Sequence, residues 1–324
     1  MQAIHITKGG GPEVLQFKTV ELNKPDKREV RIQVKAAGVN RSDILTRQNP
    51  NAYGKDLPGA TIPGLEVSGE VIEAGAEVND LHVGDKVCAL IPGGGYAEEV
   101  VVDERLCLPL PAGLNFIEAA SLPEAIFTVW FNIFQQGKIK SEERLLIHGG
   151  TSGVGIMGLQ MAAAMGIKTY TTVGSQEKVD FIKQHKLGSV INYKEEDFER
   201  AYKDEQIDVI LDMVGGSYTS KNLSILNKNG RLLYINGMNG TTPEINLWTI
   251  MSKNLILTGS LLKPQSVEVK AQIASEVHKY VWPLLEQKKV KPVIYKTFSL
   301  AEAAEAHKLM ESSTHIGKIV LSVD

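Results

Sequence analysis

Only two cysteines, Cys88 and Cys107, occur in 324 residues. That scarcity excludes a disulfide framework and leaves too few thiolates for a four-cysteine zinc site. No apolar run approaches the roughly 18 residues of a membrane span. No lysine or arginine run marks a nucleic-acid surface. The seven histidines lack His-x-x-x-His and His-Glu-x-x-His spacing, which leaves a zinc-hydrolase helix without its ligands. No Gly-x-Ser-x-Gly elbow supports a hydrolase. Met1-Gln-Ala-Ile-His-Ile6 enters an alternating strand without the charged region, apolar stretch and cleavage site of a secretion signal, so a cytoplasmic address is expected. Charge is nearly balanced, −3 net with 23% charged and 43% apolar residues, as in an ordinary globular protein long enough for two domains.

What is present is a nucleotide cradle. The apolar run Arg144-Leu-Leu-Ile-His148 leads into Gly149-Gly150-Thr151-Ser152-Gly153-Val154-Gly155 and then into an apolar helix through Met165. A glycine turn between strand and helix lets a pyrophosphate approach bare amides at the helix's positive end. The next strand, Lys168–Val173, ends at Gly174-Ser175-Gln176-Glu177-Lys178. A turn that binds NAD usually carries an acid at that strand's end to bond the ribose 2′-OH; here Gly174 and Ser175 stand there. Lys178 falls in the first turn of the following helix, where a cation opposes the helix dipole by roughly 0.3–1 kcal/mol, a penalty that a bound 2′-phosphate would offset. The expectation is therefore NADPH, with Lys178 and Tyr193 around the extra phosphate; the alternative for Lys178 is a solvated surface lysine.

The first 120 residues read as short strands punctuated by glycine and proline, Arg31–Ala36, Val67–Ile72, Lys86–Leu90 and Ala97–Val102, the marks of a β-rich, barrel-like domain. From about Leu122 helices and strands alternate. After Val190–Tyr193 come Ile207–Asp212, Arg231–Ile235 and Leu255–Thr258, which with the first two strands make six. That is the complement of a doubly wound parallel sheet. The tail from Lys263 predicts one long amphipathic helix over 267–286, a strand Val293–Phe298, a capping box at Ser299 and Glu302 opening a helix to Met310, and a closing strand Gly317–Val323. Such a tail cannot bury its own faces, so it is expected to fold back on the N-terminal domain. The expected domains are 1–122 plus 263–324, and 123–262. In the helix from Glu124 to Phe134, Phe127, Phe131 and Phe134 follow helical spacing and predict a core stripe.

Gly9-Gly-Gly-Pro-Glu-Val-Leu15, Gly38-Val-Asn-Arg-Ser-Asp43, Pro63-Gly-Leu-Glu66, Val83-Gly-Asp-Lys-Val87, Gly94-Gly-Tyr-Ala97, the cradle and His315-Ile-Gly-Lys-Ile-Val320 stand in order along nearly the whole chain. The sequence resembles the medium-chain dehydrogenase/reductase superfamily and, within it, the zinc-free NADPH:quinone oxidoreductases related to zeta-crystallin. The cradle departs from Gly-x-Gly-x-x-Gly at Ser152, as related quinone reductases also do. The resemblance implies a GroES-like β-rich catalytic domain with an inserted six-stranded Rossmann domain, and a homodimer. In the related zinc alcohol dehydrogenases the catalytic ligands are a cysteine where this chain has Asn40, a histidine where it has Leu65, and a cysteine near Pro123-Glu124-Ala125. No metal is expected.

Without a Lewis acid an unactivated alcohol is hard to oxidise, whereas a quinone is already electron-poor, and position and water exclusion suffice. The expected activity is NADPH-dependent reduction of quinones in the interdomain cleft; the alternatives are reduction of α,β-unsaturated carbonyls, and a nucleotide-binding sensor or structural protein with incidental activity. The resemblance places Asn40 and Tyr53 at the nicotinamide and the acceptor, Arg41 at the pyrophosphate and Thr128 at the carboxamide. The residue-level alternatives are a turn residue for Asn40, an exposed loop tyrosine for Tyr53, and a pairing of Arg41 with Asp43 or Glu66. The loops Gly237-Met238-Asn239 and Ser260-Leu261-Leu262 are expected to complete the nicotinamide end, and Lys318 either adds charge for the phosphates or faces water. The apolar sixth strand would be an open sheet edge, so pairing with a second copy across a twofold axis is expected.

Overall fold

A strand that alternates buried and exposed residues can serve only one core face, and the chain's first long strand does this before changing character. The structure, a computed structural model, describes residues 1–53 and 61–323. The chain begins with β1 (Gln2–Ile6), β2 (Leu15–Thr19) and β3 (Glu29–Val39), followed by α1 (Arg41–Gln48) and the strands β4 (Glu66–Ala74), β5 (Lys86–Leu90), β6 (Glu99–Asp103) and β7 (Cys107–Pro109). In β3, Val30, Ile32 and Val34 face one core with Val67 and Val71 of β4. From Ala36 the strand is buried on both faces, because Ala36 joins Ala120 and Val320 in a second small cluster.

The short helices α2 (Phe116–Ala119) and α3 (Pro123–Val129) lead on to β8 (Arg144–His148), α4 (Gly153–Ala164), β9 (Lys168–Val173), α5 (Gln176–Gln184), β10 (Ser189–Asn192), α6 (Phe198–Ala201), β11 (Ile207–Asp212), α7 (Tyr218–Ile225), β12 (Leu226–Tyr234), α8 (Leu247–Lys253) and β13 (Ile256–Gly259). The tail holds α9 (Val267–Tyr280), α10 (Trp282–Glu286), β14 (Ile294–Ser299), α11 (Ala303–Ser312) and β15 (Lys318–Ser322).

Two compact units result, one of residues 1–127, 262–287 and 292–324, the other of residues 128–261 and 288–291. In the first, a seven-stranded sheet runs β14-β15-β3-β4-β5-β7, with β6 also on β3. The closing strand enters this sheet antiparallel to β3, Ile319 opposite Val39. In the second, six parallel strands run β10-β9-β8-β11-β12-β13, the order 3-2-1-4-5-6 of the doubly wound dinucleotide fold. Both faces of such a sheet are covered by helices, which explains why Leu145, Leu146 and Ile147 are all buried in succession. The fold class read from the sequence is borne out. No helix among the described residues is long and apolar enough to cross a membrane.

Two local expectations change. The tail helix is broken at Val281: Pro283 has no N–H for a helix interior and its ring clashes with the preceding turn, so a new helix starts with proline in its first turn. Residues Trp130–Gln136 form a π-helix, with Gly137 N–H donating five residues back to Asn132 at 2.7 Å. The wider turn alters the phase, so Phe127, Trp130 and Ile133 are buried while Phe131 and Phe134 are only half-buried. Trp130 and Phe134 instead stack at 4.8 Å between centroids.

Candidate active site

In the second unit the site residues gather at the carboxyl ends of the parallel strands. Gly149, at φ +71°, turns the chain out of β8. A Cβ at Gly150 would lie 2.0 Å from Thr171 Oγ1 of the neighbouring strand, so only glycine lets the turn pass this close. Ser152 caps α4, its Oγ accepting from Gly155 N–H at 3.0 Å. This accounts for the departure from the glycine pattern: the serine oxygen supplies a cap that glycine lacks. The first-turn amides of Gly153 and Val154 have no intrahelical acceptor by the geometry of any helix, so the start of α4 presents unpaired donors at its positive end.

Ser175 likewise caps α5, accepting from Lys178 N–H at 3.4 Å. Gly174 and Tyr193 lie together, since a Cβ at Gly174 would stand 2.5 Å from the phenolic oxygen. Burial lowers the Lys178 pKa first, Glu177 raises it, and the charge of Lys194 lowers it further. Two cations therefore converge near a strand end that bears no acid. Lys194 escaped the sequence reading, although its position after Tyr193 was the available signal.

The loop after β11 was also missed. Asp212 Oδ1 accepts from Val214 N–H at 2.6 Å and Gly215 N–H at 3.1 Å, folding Met213–Gly216 back so that Met213 Sδ meets Ser152 Oγ at 3.9 Å. The Gly215-Gly216 pair, both with positive φ, was the signal. Gly237, Met238 and Asn239 follow β12, with Asn239 N–H donating to Val214 O at 2.7 Å. Asn132 links two more predicted residues, its Nδ2 donating to Thr128 O at 2.9 Å and its Oδ1 accepting from Ser260 Oγ at 2.8 Å. Leu261 is exposed. His148 is buried, its ring bonded to Thr172 at 3.0 Å and Asn222 at 2.8 Å, and Asn222 in turn bonds Asp212; it is structural.

In the first unit Asn40 precedes α1 and is buried. Its Nδ2 donates to Glu66 Oε1 at 2.9 Å and its Oδ1 accepts from Lys318 Nζ at 2.7 Å, while Lys318 also donates to Glu66. Asn40 is thus more than a turn residue. Lys318 corrects both of its expected placements: it neither faces water nor is free for phosphates, because the buried Glu66 carboxylate requires a cation. Arg41 pairs with neither of the acids considered for it: one terminal nitrogen of its guanidinium donates to Met310 O at 3.1 Å and Ser313 Oγ at 3.0 Å, not to Asp43 or Glu66. Asp43 instead accepts from Asn40 N–H at 2.8 Å, Gly64 N–H at 3.0 Å and Tyr96 Oη at 3.2 Å.

Burial raises the Asp43 pKa to about 6 against the pull of those amides and of Lys263 and Lys318. Tyr53 is half-buried, with Lys263 Nζ 5.0 Å from its ring centre. Its pKa is raised by burial, then by Glu124 and Asp43, and eased by the Ser42 hydroxyl. Leu262 is buried in this unit. Among the described residues no group of three or more His, Cys, Asp or Glu is placed to hold a metal ion.

Comparison with known proteins fits this geometry. The family model described as alcohol dehydrogenase GroES-like domain matches residues 26–112, and that described as zinc-binding dehydrogenase matches residues 187–321. The chain is 32% identical to quinone oxidoreductase of Mus musculus over 99% of its own length and 97% of the mouse protein. Among solved structures it is similar to Escherichia coli quinone oxidoreductase complexed with NADPH, at 27% identity and TM-score 0.87, covering 99% of this chain and 100% of that one. It is also similar to the quinone oxidoreductase of Coxiella burnetii, at 30% identity and TM-score 0.82, covering 100% and 99%. The chain therefore belongs to the quinone oxidoreductase family of the medium-chain dehydrogenase/reductase superfamily, and is an oxidoreductase.

Proposed function

We propose that this chain is a cytoplasmic, zinc-independent, NADPH-dependent reductase of quinones. The observation that carries the cofactor choice is the acid-free end of β9, where Gly174 and Ser175 are flanked by Lys178, Tyr193 and Lys194. An acid there would repel a 2′-phosphate; two lysines attract it. The NADPH held by the Escherichia coli relative supports the same choice. When bound, NADPH supplies the reducing equivalents. The amides of Thr151, Gly153 and Val154 are suited to the pyrophosphate, and Thr128, Gly237, Met238, Asn239, Ser260 and Leu261 to the nicotinamide end.

Zinc independence rests on chemistry at Asn40. The ammonium of Lys318 already bonds Asn40 and Glu66, so the positive charge that a divalent ion would bring is supplied by the chain. Tyr53, a flat phenol kept protonated by its surroundings, is suited to stack on a planar acceptor and donate to its developing anion. The quinone class follows the relatives' activity.

Steady-state rates with NADPH and NADH against a panel of benzoquinones and enals test this. We expect NADPH to be preferred by at least ~10-fold, the equivalent of about 1.4 kcal/mol, and quinones to turn over faster. Faster turnover of enals would transfer the reading to unsaturated carbonyls, and tight NADPH binding without turnover to a sensor. We further propose a homodimer through β13, which pairs only with β12 among the described residues and shares its surroundings with exposed Leu247, Trp248, Met251 and Ile256. An open apolar edge is a pairing surface. A one-chain mass in sedimentation at micromolar concentration would contradict it.

A further inference from the structure

The partners of Asn40 decide which way its side-chain amide faces. An ammonium can only donate, and a carboxylate can only accept. Every hydrogen-bond partner of Glu66 is a donor: Asn40 Nδ2 at 2.9 Å and Lys318 Nζ meet Oε1, and the Glu124 amide meets Oε2 at 2.9 Å. None of the three can take a proton from it, so Glu66 stands as a carboxylate. Lys318 Nζ also meets Asn40 Oδ1 at 2.7 Å. With an obligate donor on its oxygen and an obligate acceptor on its nitrogen, the amide has one allowed orientation. Turned over, it would set NH2 against the ammonium and the carbonyl against the carboxylate.

The first unit builds this clamp from three sides. A Cβ at Gly38 of β3 would lie 2.1 Å from Glu66 Oε1 and 2.7 Å from Ala120 O, so glycine is what leaves room for the carboxylate. Lys318 opens β15, whose Val320 lies opposite Gly38. Asp43 accepts from the backbone of Asn40 and of Gly64, two residues before Glu66. Replacing a buried ion pair with apolar side chains is often neutral or stabilising, so stability alone does not account for Glu66 and Lys318. Asn40 Nδ2 carries two hydrogens. One is on Glu66, and the other has no acceptor among the described residues.

We propose that Glu66 and Lys318 are positioning residues that keep the second Asn40 N–H as a fixed donor to the carbonyl oxygen of the acceptor. The inference rests on the quinone reductase reading and deepens it, since it names what the site selects: a carbonyl oxygen that gains negative charge on reduction. A donor already oriented for that charge costs no reorganisation when the charge appears. An amide free to turn over would offer its own oxygen half the time and repel the same charge.

The double variant Glu66→Gln with Lys318→Met separates orientation from folding. The new glutamine would keep its oxygen on the Glu124 amide and turn its NH2 to Asn40, which must reverse to meet it. With NADPH and duroquinone, kcat should fall by on the order of 100-fold, as when an oxyanion donor is removed. Urea unfolding and NADPH affinity by fluorescence should stay near those of the wild type. In infrared difference spectra of duroquinone on the NADP⁺ complex, the carbonyl stretch should be shifted down in the wild type and less so in the variant. If the double variant does not fold, Asn40→Leu, which leaves the Glu66 and Lys318 pair in place, should show the same losses of kcat and band shift. Wild-type kcat in the folded double variant, a loss accounted for by weaker NADPH binding, or an unshifted carbonyl band in the wild type overturns the inference and leaves the proposed function standing. Failure of the wild type to reduce any quinone overturns the function and this inference with it.

Discussion

Replacing Lys318 with methionine should expose how much of the first unit depends on one buried cation. Its side chain is 7% exposed and that of its partner Glu66 is fully buried. Glu66 would keep two donors, Asn40 Nδ2 and Glu124 N–H, both at 2.9 Å. Hydrogen bonds to a charged acceptor contribute about 1.5–3 kcal/mol each, which offsets much of the desolvation of a buried carboxylate, several kcal/mol, but supplies no counter-charge. Asn40 Oδ1 would lose its donor as well. Breaking a buried pair by removing one partner costs about 3–5 kcal/mol, and Lys318→Met should show that loss in the first transition of urea unfolding. The double variant Glu66→Gln with Lys318→Met should recover most of it, because no uncompensated charge remains. A loss below about 1 kcal/mol, or a double variant no better than the single, would refute the reasoning.

Two more outcomes follow from the geometry. Gly150→Ala puts a Cβ 2.0 Å from Thr171 Oγ1, which is held by its own bond to Ile147 O at 2.6 Å; thermal unfolding should show about 1–3 kcal/mol of destabilisation, and fluorescence titration a weaker NADPH affinity. His307 is buried between Arg47 and Tyr96, and burial with the Arg47 charge lowers its pKa to about 3. A depressed histidine contributes stability that is present above its unfolded value of 6.5 and lost as pH falls toward 3. His307→Gln should therefore lose less stability than wild type between pH 6.5 and 3 in chemical unfolding, by several kcal/mol; parallel curves would contradict this.

The second unit was largely legible because its signals are local. A glycine turn between an apolar strand and helix, followed by regular alternation, fixes a parallel βαβ sheet, and the missing acid at Gly174 lies a few residues from Lys178. The first unit concealed more. Lys318 meets Asn40 across 278 residues of sequence, and Arg41 finds Met310 across 269; no periodicity records such encounters. Lysine at a strand start looks like a solvated end until a buried glutamate claims it. The Phe127–Phe134 stripe misled for a different reason, since spacing arguments assume an α-helical turn and the π-helix at Trp130 breaks that assumption.

The most direct measurement of the central claim is coenzyme preference in zinc-free protein. Rates with NADPH and NADH against one quinone would be taken for wild type and Lys178→Ala after metal removal verified by elemental analysis. The account predicts full activity without metal, a clear preference for NADPH, and a rise of on the order of 10-fold or more in the KM for NADPH in the variant with NADH unaffected, as befits loss of a charge-assisted phosphate contact. Activity that disappears with stoichiometric zinc, or a preference unchanged by Lys178→Ala, would contradict it.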